Sequence, residues 1–212
     1  MKRIANVLAA LGIASSGAAV AQAPNPASVP PEEIGSWRLS CVTDRMTDRA
    51  DCQLRHRDPV EAAQGSGASL LLEVQDRGGR LVPVVVARDL TLDAAQRGIL
   101  ALTGTAQLRF PPSRFFEMPC GLEGRSLVCA PKAEDAARAA EELPAASSVL
   151  VRVVGYGAGS ASGEPVELRL DRTRDALARY RARVPEGSVP PAPSVANSVP
   201  EMLMRLQRLF GN

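Results

Sequence analysis

Apolar residues in this chain recur mainly at every second position, in short runs punctuated by glycine and proline. Trp37, Leu39 and Cys41 alternate with Arg38 and Ser40, and Cys52, Leu54 and His56 alternate with Gln53, Arg55 and Arg57. Period-two alternation marks a strand buried on one face. The polar stretch Thr43 to Asp51 between these runs predicts a hairpin loop. Ser69 to Gln75 and Leu81 to Ala87 flank Gly78-Gly79, a second hairpin signal. Ile99 to Thr103, Ala106 to Phe110, Arg114 to Met118, Leu127 to Ala130, Val149 to Tyr156 and Val166 to Leu170 follow as further strands, with Gly104 and Pro111-Pro112 as breaks. Many short strands with Gly/Pro turns predict a mainly β domain, an antiparallel β-sandwich or barrel-like fold with two or three peripheral short helices.

The period changes in three places. Pro131 opens an alanine-rich helix over Lys132 to Leu143, with Glu134/Arg138 and Arg138/Glu142 at i, i+4, and Pro144 ends it. Asp171 reads as the N-cap of a helix running to about Arg183, with Leu177, Tyr180 and Val184 as its apolar stripe. Arg172, Arg179 and Arg183 line one flank of that stripe, and Arg174 and Arg181 the other. Beyond a Pro/Ser/Val/Ala-rich linker (185–199), Pro200 starts a short amphipathic helix. Its face of Leu203, Leu206, Leu209 and Phe210 opposes Arg205 and Arg208.

The amino terminus has the form of a secretory signal: Lys2 and Arg3, then the apolar run Ile4 to Ala14, then Ala19-Val20-Ala21. Cleavage is expected after Ala21, because a cut after Ala23 would set Pro24 beside the scissile bond. The expected organisation is a signal peptide (1–21), a Pro-rich disordered lead-in (22–33), one β domain (34–184), the linker and the final helix (200–212). No later apolar run reaches the roughly twenty residues of a membrane span. A periplasmic or secreted protein without a transmembrane segment is therefore expected. Removing residues 1–21 lowers the formal net charge from +2 to zero. That neutrality conceals an asymmetry, since eight arginines and four acids lie from Arg169 onward.

The four cysteines fall as two close pairs in an exported chain, so disulfides are expected. Cys41 and Cys52 lie in phase with the apolar faces of facing strands, where Cα atoms approach within disulfide range. Strand phase and proximity favour Cys41–Cys52 and Cys120–Cys129 over cross-pairing. Each short loop closed in this way contributes roughly 2.5–3 kcal/mol by chain entropy. Neither spacing is the C-x-x-C of a redox dithiol or that of a zinc knuckle.

In this order of elements the chain resembles the invasion-associated locus B family of exported bacterial proteins. The likeness rests on Trp37-Arg-Leu-Ser-Cys41, Cys52-Gln-Leu54, Phe116 to Cys120 with Cys129 after it, the alanine-rich helix, and Val166-Glu-Leu-Arg-Leu170 leading into Ala176-Leu177. It spans about Ile34 to Val184. The resemblance implies a signal-bearing, disulfide-stabilised β-rich protein from a family named for a role in host-cell invasion, with no catalytic residues to carry over.

Catalytic chemistry finds little purchase. His56 is the single histidine and stands among Arg55, Arg57 and Asp58, so a structural or exposed role is expected over a triad. Gly155-Tyr-Gly-Ala-Gly159 lacks the following helix that a dinucleotide loop needs and reads as a hairpin loop. No cofactor, metal or nucleic acid is expected. The expected activity is non-enzymatic contact with an envelope or host-surface protein, or with an anionic envelope surface. Arg172, Arg174, Arg179, Arg181 and Arg183 are the candidate anion or partner contacts, and Leu203, Leu206, Leu209 and Phe210 the candidate partner or membrane face. The alternatives are an envelope hydrolase or carbohydrate-active enzyme built on an Asp/Glu pair, and an accessory subunit of a membrane complex.

Overall fold

The computed structural model of the chain describes residues 28–48, 50–62, 68–88, 104–154 and 164–186. The signal segment, the strand expected at Ile99 to Thr103, the Gly155 to Gly159 loop, and the final helix with Leu203, Leu206, Leu209 and Phe210 lie outside the described residues. The described residues form ten strands and two helices, in the order β1 (Ser28–Ile34), β2 (Trp37–Thr43), β3 (Ala50–His56), β4 (Leu71–Arg77), β5 (Arg80–Ala87), β6 (Thr105–Arg109), β7 (Phe116–Glu123), β8 (Ser126–Cys129), α1 (Ala136–Glu142), β9 (Ser148–Val154), β10 (Val166–Arg169) and α2 (Thr173–Arg183). All ten strands join one antiparallel sheet in the order β1-β2-β3-β4-β5-β8-β7-β6-β9-β10. The sheet curls into a half-barrel. Of the two expected architectures, the barrel-like one is the one found.

The sheet begins at Ser28, earlier than the alternation from Ile34 suggests, because β1 pairs with β2 through a register shift between Val29 and Glu32. Such an irregularity accommodates the Pro30-Pro31 step, which cannot supply ladder N–H groups. One apolar cluster fills the concave side, including Trp37, Leu54, Leu72, Leu108, Phe116 and Met118. A second, smaller cluster of Val82, Val84, Val86 and Val128 lies on the opposite face, against Ala136 and Ala140 of α1. Strand β5 is thus buried on both faces, which explains its unbroken apolar run where its neighbours alternate.

Both helices are shorter than their sequence patterns suggest. Residues 133–135 form a turn, so α1 starts at Ala136, and Arg138 pairs with Asp135 (3.0 Å) and Glu142 (3.6 Å) rather than with Glu134. The Arg138 guanidinium also lies 3.6 Å from the centre of the Phe116 ring. Helix α2 opens at Thr173, and its N-cap is Arg172 in the left-handed region (φ 56°). Asp171 is not the cap because its backbone is used elsewhere. The Ser36 N–H donates to the Asp171 carbonyl (3.2 Å), and the Asp171 N–H donates to Ser36 Oγ (3.0 Å). The buried stripe is Thr173, Ala176, Tyr180 and Val184, with Leu177 displaced to its flank.

That junction straps α2 across the opening of the half-barrel. Trp37, fully buried, donates its indole N–H to Thr173 Oγ1 (3.1 Å). His56 faces Trp37 across β2–β3, edge-on at 5.7 Å, and its Nε2–H donates to the Arg169 carbonyl (2.8 Å). The turn between β1 and β2 fits beneath Asp171 only because Gly35 has no side chain. A Cβ there would lie 2.3 Å from the Asp171 carbonyl oxygen, and the backbone φ is +59°. Gly35→Ala is therefore expected to lower stability by about 2 kcal/mol or more, read as a reduced urea midpoint with an unchanged m-value.

Candidate functional site

The cysteines behave as strand staples. Cys41 and Cys52 are direct register partners on β2 and β3, with Cα atoms 4.1 Å apart, and Cys120 and Cys129 are partners on β7 and β8, at 3.9 Å. Both bonds are formed. They join residues that the ladder already places opposite each other.

The five arginines of the α2 region separate into two groups. Arg181 points inward: it pairs with Asp76 of β4, and its Nη2 donates to the Gly79 carbonyl (2.6 Å). Asp76 in turn accepts the Gly79 N–H (2.8 Å), so a single carboxylate fixes the β4–β5 turn to the helix. The other four are exposed. Arg172 pairs with Asp175 (2.9 Å), Arg179 with Glu32 of β1 (2.9 Å), and Arg174 donates to the Pro144 carbonyl (3.1 Å). Arg183 has no hydrogen bond or ion pair among the described residues. The structure thus brings four of the five candidate arginines to solvent and sets the fifth into the scaffold.

Next to Arg181 lies a cleft of about 210 Å³. It forms where two strands part: β3 and β4 pair only at Leu54↔Val74 and Arg55↔Glu73. Ala50, Asp51 and Cys52 form one wall and Gln75, Asp76 and Arg77 the other. Tyr180 of α2 and Val184 just beyond it, together with Arg88 and Glu123, complete the lining. The charges in it are largely matched. Arg77 contacts Glu123 (2.8 Å) and also donates to Gln75 Oε1 (2.7 Å), and Arg88 donates to the buried Glu73 (2.8 Å). Asp51 has no ion-pair partner among the described residues. Tyr180 is only 4 % exposed and its hydroxyl also lacks a partner among the described residues. Burial, with the nearby Asp76 carboxylate second, holds its pKa above the ordinary tyrosine value of 10.0.

Sequence reasoning missed this cleft. The available signal was Asp76, a charge in the buried phase of Leu72 and Val74, but the strand expected there stops at Gln75. Chemically, the site offers ion pairs and a neutral phenol. Carboxylate-pair hydrolysis needs two carboxyl groups facing each other across a substrate. Here Glu73, Asp76 and Glu123 each face a guanidinium. His56, buried between two backbone partners, lies in the strap; its Nδ1 accepts the Asp58 N–H (3.0 Å).

The chain matches no family model and no curated protein sequence. Among solved structures, the crystal structure of invasion associated protein b from Bartonella henselae is similar at 14 % identity and a TM-score of 0.42, over 72 % of this chain and 96 % of that one. No helix among the described residues is long and apolar enough to cross a membrane.

Two outcomes follow from this geometry. Replacing Arg181 by Met strands the buried Asp76 carboxylate and should cost about 3 kcal/mol, whereas Arg183→Met should change stability by no more than about 0.5 kcal/mol in the same denaturant titration. Tyr180 holds its proton more tightly in the folded chain than in the unfolded one. Its contribution to stability is fully present below pH about 10 and is lost as pH rises through the raised folded value. Tyr180→Phe should therefore flatten the decline in unfolding free energy above pH about 10.

Proposed function

We propose that this chain is an exported, periplasmic or secreted protein of the invasion-associated locus B type, acting without catalysis through contact with an envelope or host-surface protein or an anionic envelope surface. The observation that carries the reading is the exposure of Arg172, Arg179 and Arg183 along one flank of the α2 stripe, with Arg174 exposed on the other. Their intramolecular ion pairs, to Asp175 and Glu32, are themselves exposed. Such pairs contribute about 0–1 kcal/mol, so an anionic partner can take the place of either carboxylate at little cost. The amphipathic segment bearing Leu203, Leu206, Leu209 and Phe210 supplies an apolar component to the same contact. Support for the family type comes from the order Trp37, Cys41–Cys52, Cys120–Cys129 and α2, and support for export from Lys2, Arg3 and the apolar run behind them. The opposition of each paired cleft carboxylate to an arginine favours a binding role over a hydrolytic one. An accessory role in a membrane complex is a special case of the same contact.

The test uses mature protein (residues 22–212) sedimented with vesicles of anionic or zwitterionic lipid, and in parallel as bait for gently solubilised envelopes. An arginine near an anionic surface contributes about 1 kcal/mol, so replacing Arg172, Arg174, Arg179 and Arg183 with Ser should weaken vesicle binding at least about tenfold, or abolish capture of the partner protein. Equal binding by wild type and a folded quadruple variant in both assays overturns the contact claim.

A further inference from the structure

The convex side of the sheet carries a second group of arginines, and the sheet itself separates it from α2. Trp37, Leu39, Leu54 and His56 are buried on the concave side, so Arg38, Arg55 and Arg57, one position out of phase, stand on the other. Arg38 and Arg55 are direct register partners on β2 and β3. In the same ladder the Arg57 N–H donates to the Ser36 carbonyl (2.9 Å). Two residues along, Arg38 and Arg55 are therefore also a pair of the hydrogen-bonded type, with Cα atoms about 5.5 Å apart. Arg57 is the next residue after Arg55 on the same side. The three side chains leave the sheet at one place.

One carboxylate serves this group. Glu33 of β1, the register partner of Arg38, accepts the Arg38 Nε–H and lies 3.5 Å from Arg57 Nε. Arg55 has no hydrogen bond or ion pair among the described residues. Its register partner on β4, Glu73, is taken by Arg88 (2.8 Å). Three guanidiniums against one carboxylate leave two positive charges uncompensated. Like charges set directly opposite on neighbouring strands are destabilising, and an anion placed between them removes the repulsion. We propose that Arg38, Arg55 and Arg57 bind a phosphate monoester group, which displaces the Glu33 carboxylate.

Glu33 marks where the anion sits, since two guanidiniums already converge on its carboxylate. Glu33, Arg38 and Arg57 are all exposed, and exposed pairs of this kind contribute about 0–1 kcal/mol, so exchange costs the fold little. Charge then selects the ligand. A phosphate monoester carries about −1.5 to −2 at pH 7 and offers three acceptor oxygens. It matches both the excess charge and the number of arginines, whereas a carboxylate or a phosphodiester brings a single charge. The guanidinium fork suits phosphate geometry, and Arg55 enters such a contact without giving up a bond. The group comes either from a small phosphorylated molecule or from the monoester headgroup of a lipid.

The experiment titrates the oxidised mature chain with glycerol 3-phosphate, following the Arg Nε–H signals and the amides of residues 33, 38, 55 and 57 by NMR. Vesicles containing phosphatidic acid or phosphatidylglycerol are then sedimented with the quadruple α2 variant, so that the α2 arginines do not contribute. Saturable shifts are expected, weakened at least about tenfold in Arg55→Gln and strengthened in Glu33→Gln, which removes the internal competitor. Arg55 has no partner to strand, so the first variant keeps its fold, and the opposite sign in the second is not what structural damage would give. Saturation by glycerol 3-phosphate without vesicle binding assigns the site to a soluble phosphate. Preference for phosphatidic acid over phosphatidylglycerol, abolished by Arg55→Gln, assigns it to a lipid headgroup. Saturation by neither probe overturns the proposal, as does binding that Arg55→Gln leaves unchanged or that Glu33→Gln fails to strengthen. The proposal does not rest on the α2 contact: the quadruple variant should bind glycerol 3-phosphate as wild type does, so the two readings fail separately.

Discussion

The architecture depends on the strap that carries the chain from β10 into α2. An open sheet curled halfway to a barrel has a concave apolar face that its own strands cannot cover, and burial of that face is the main favourable term available to the fold. Helix α2 supplies the cover through Ala176, Tyr180 and Val184. It does so only because the Arg169 and Asp171 carbonyls, which leave the sheet at that point, receive donors from His56 and Ser36. Backbone acceptors left without donors there would weaken the junction that seats the helix. Trp37 takes part at the same place, since its ring fills the core while its N–H fixes the first turn of the helix. Gly35 follows from the same constraint, as no residue with a side chain fits between the β1–β2 turn and the Asp171 carbonyl.

A second constraint lies in the short pairing of β3 with β4. Strands β3 and β4 keep only two register pairs and then separate. Separation exposes ladder groups and weakens the wall at the start of β3. The Cys41–Cys52 bond lies at that end of β3 and ties it to β2, on the side where pairing continues from Trp37↔His56 to Thr43↔Ala50. The disulfide thus compensates where the ladder is shortest. Asp76 has the matching role on the other wall, holding the Gly79 turn and Arg181 together. The cleft is the space left between two walls that are each fixed from behind.

Much of this was legible in the sequence for a simple reason: half-buried strands announce themselves by alternation. The runs around Trp37, Cys52 and Val149 gave the right strands with the right face inward, and the cysteine phase gave the right pairing. What escaped was decided by contacts distant along the chain. Asp171 has every local credential of an N-cap, yet its backbone is claimed by Ser36, more than a hundred residues away. Asp76 ends a strand by composition, but Arg181 makes its burial tolerable and the strand continues to Arg77. The Ser28 to Pro31 segment looks like a lead-in because prolines argue against a central strand. Nothing local reveals that it lies at the sheet edge, where proline is tolerated. The cleft was least legible of all, because it arises from missing pairing and no residue pattern encodes a missing pair.

The arginines of α2 show how burial, rather than residue type, decides what a side chain is available to do. In sequence the five are alike, a basic helix with charges on both flanks of an apolar stripe. In the fold, Arg181 is bound to a carboxylate that is 4 % exposed and to a turn carbonyl, and withdrawing it would leave a desolvated charge behind. Arg179 makes the same kind of pair with Glu32, but both partners are in water. There the Coulomb attraction is screened and the rotamer entropy of two long side chains opposes it, so the pair can be exchanged for another at near-zero cost. Two ion pairs on one helix, drawn alike in a contact map, therefore belong to different links of the chain from sequence to function. One holds the helix in place, and the other can be exchanged at little cost to the fold.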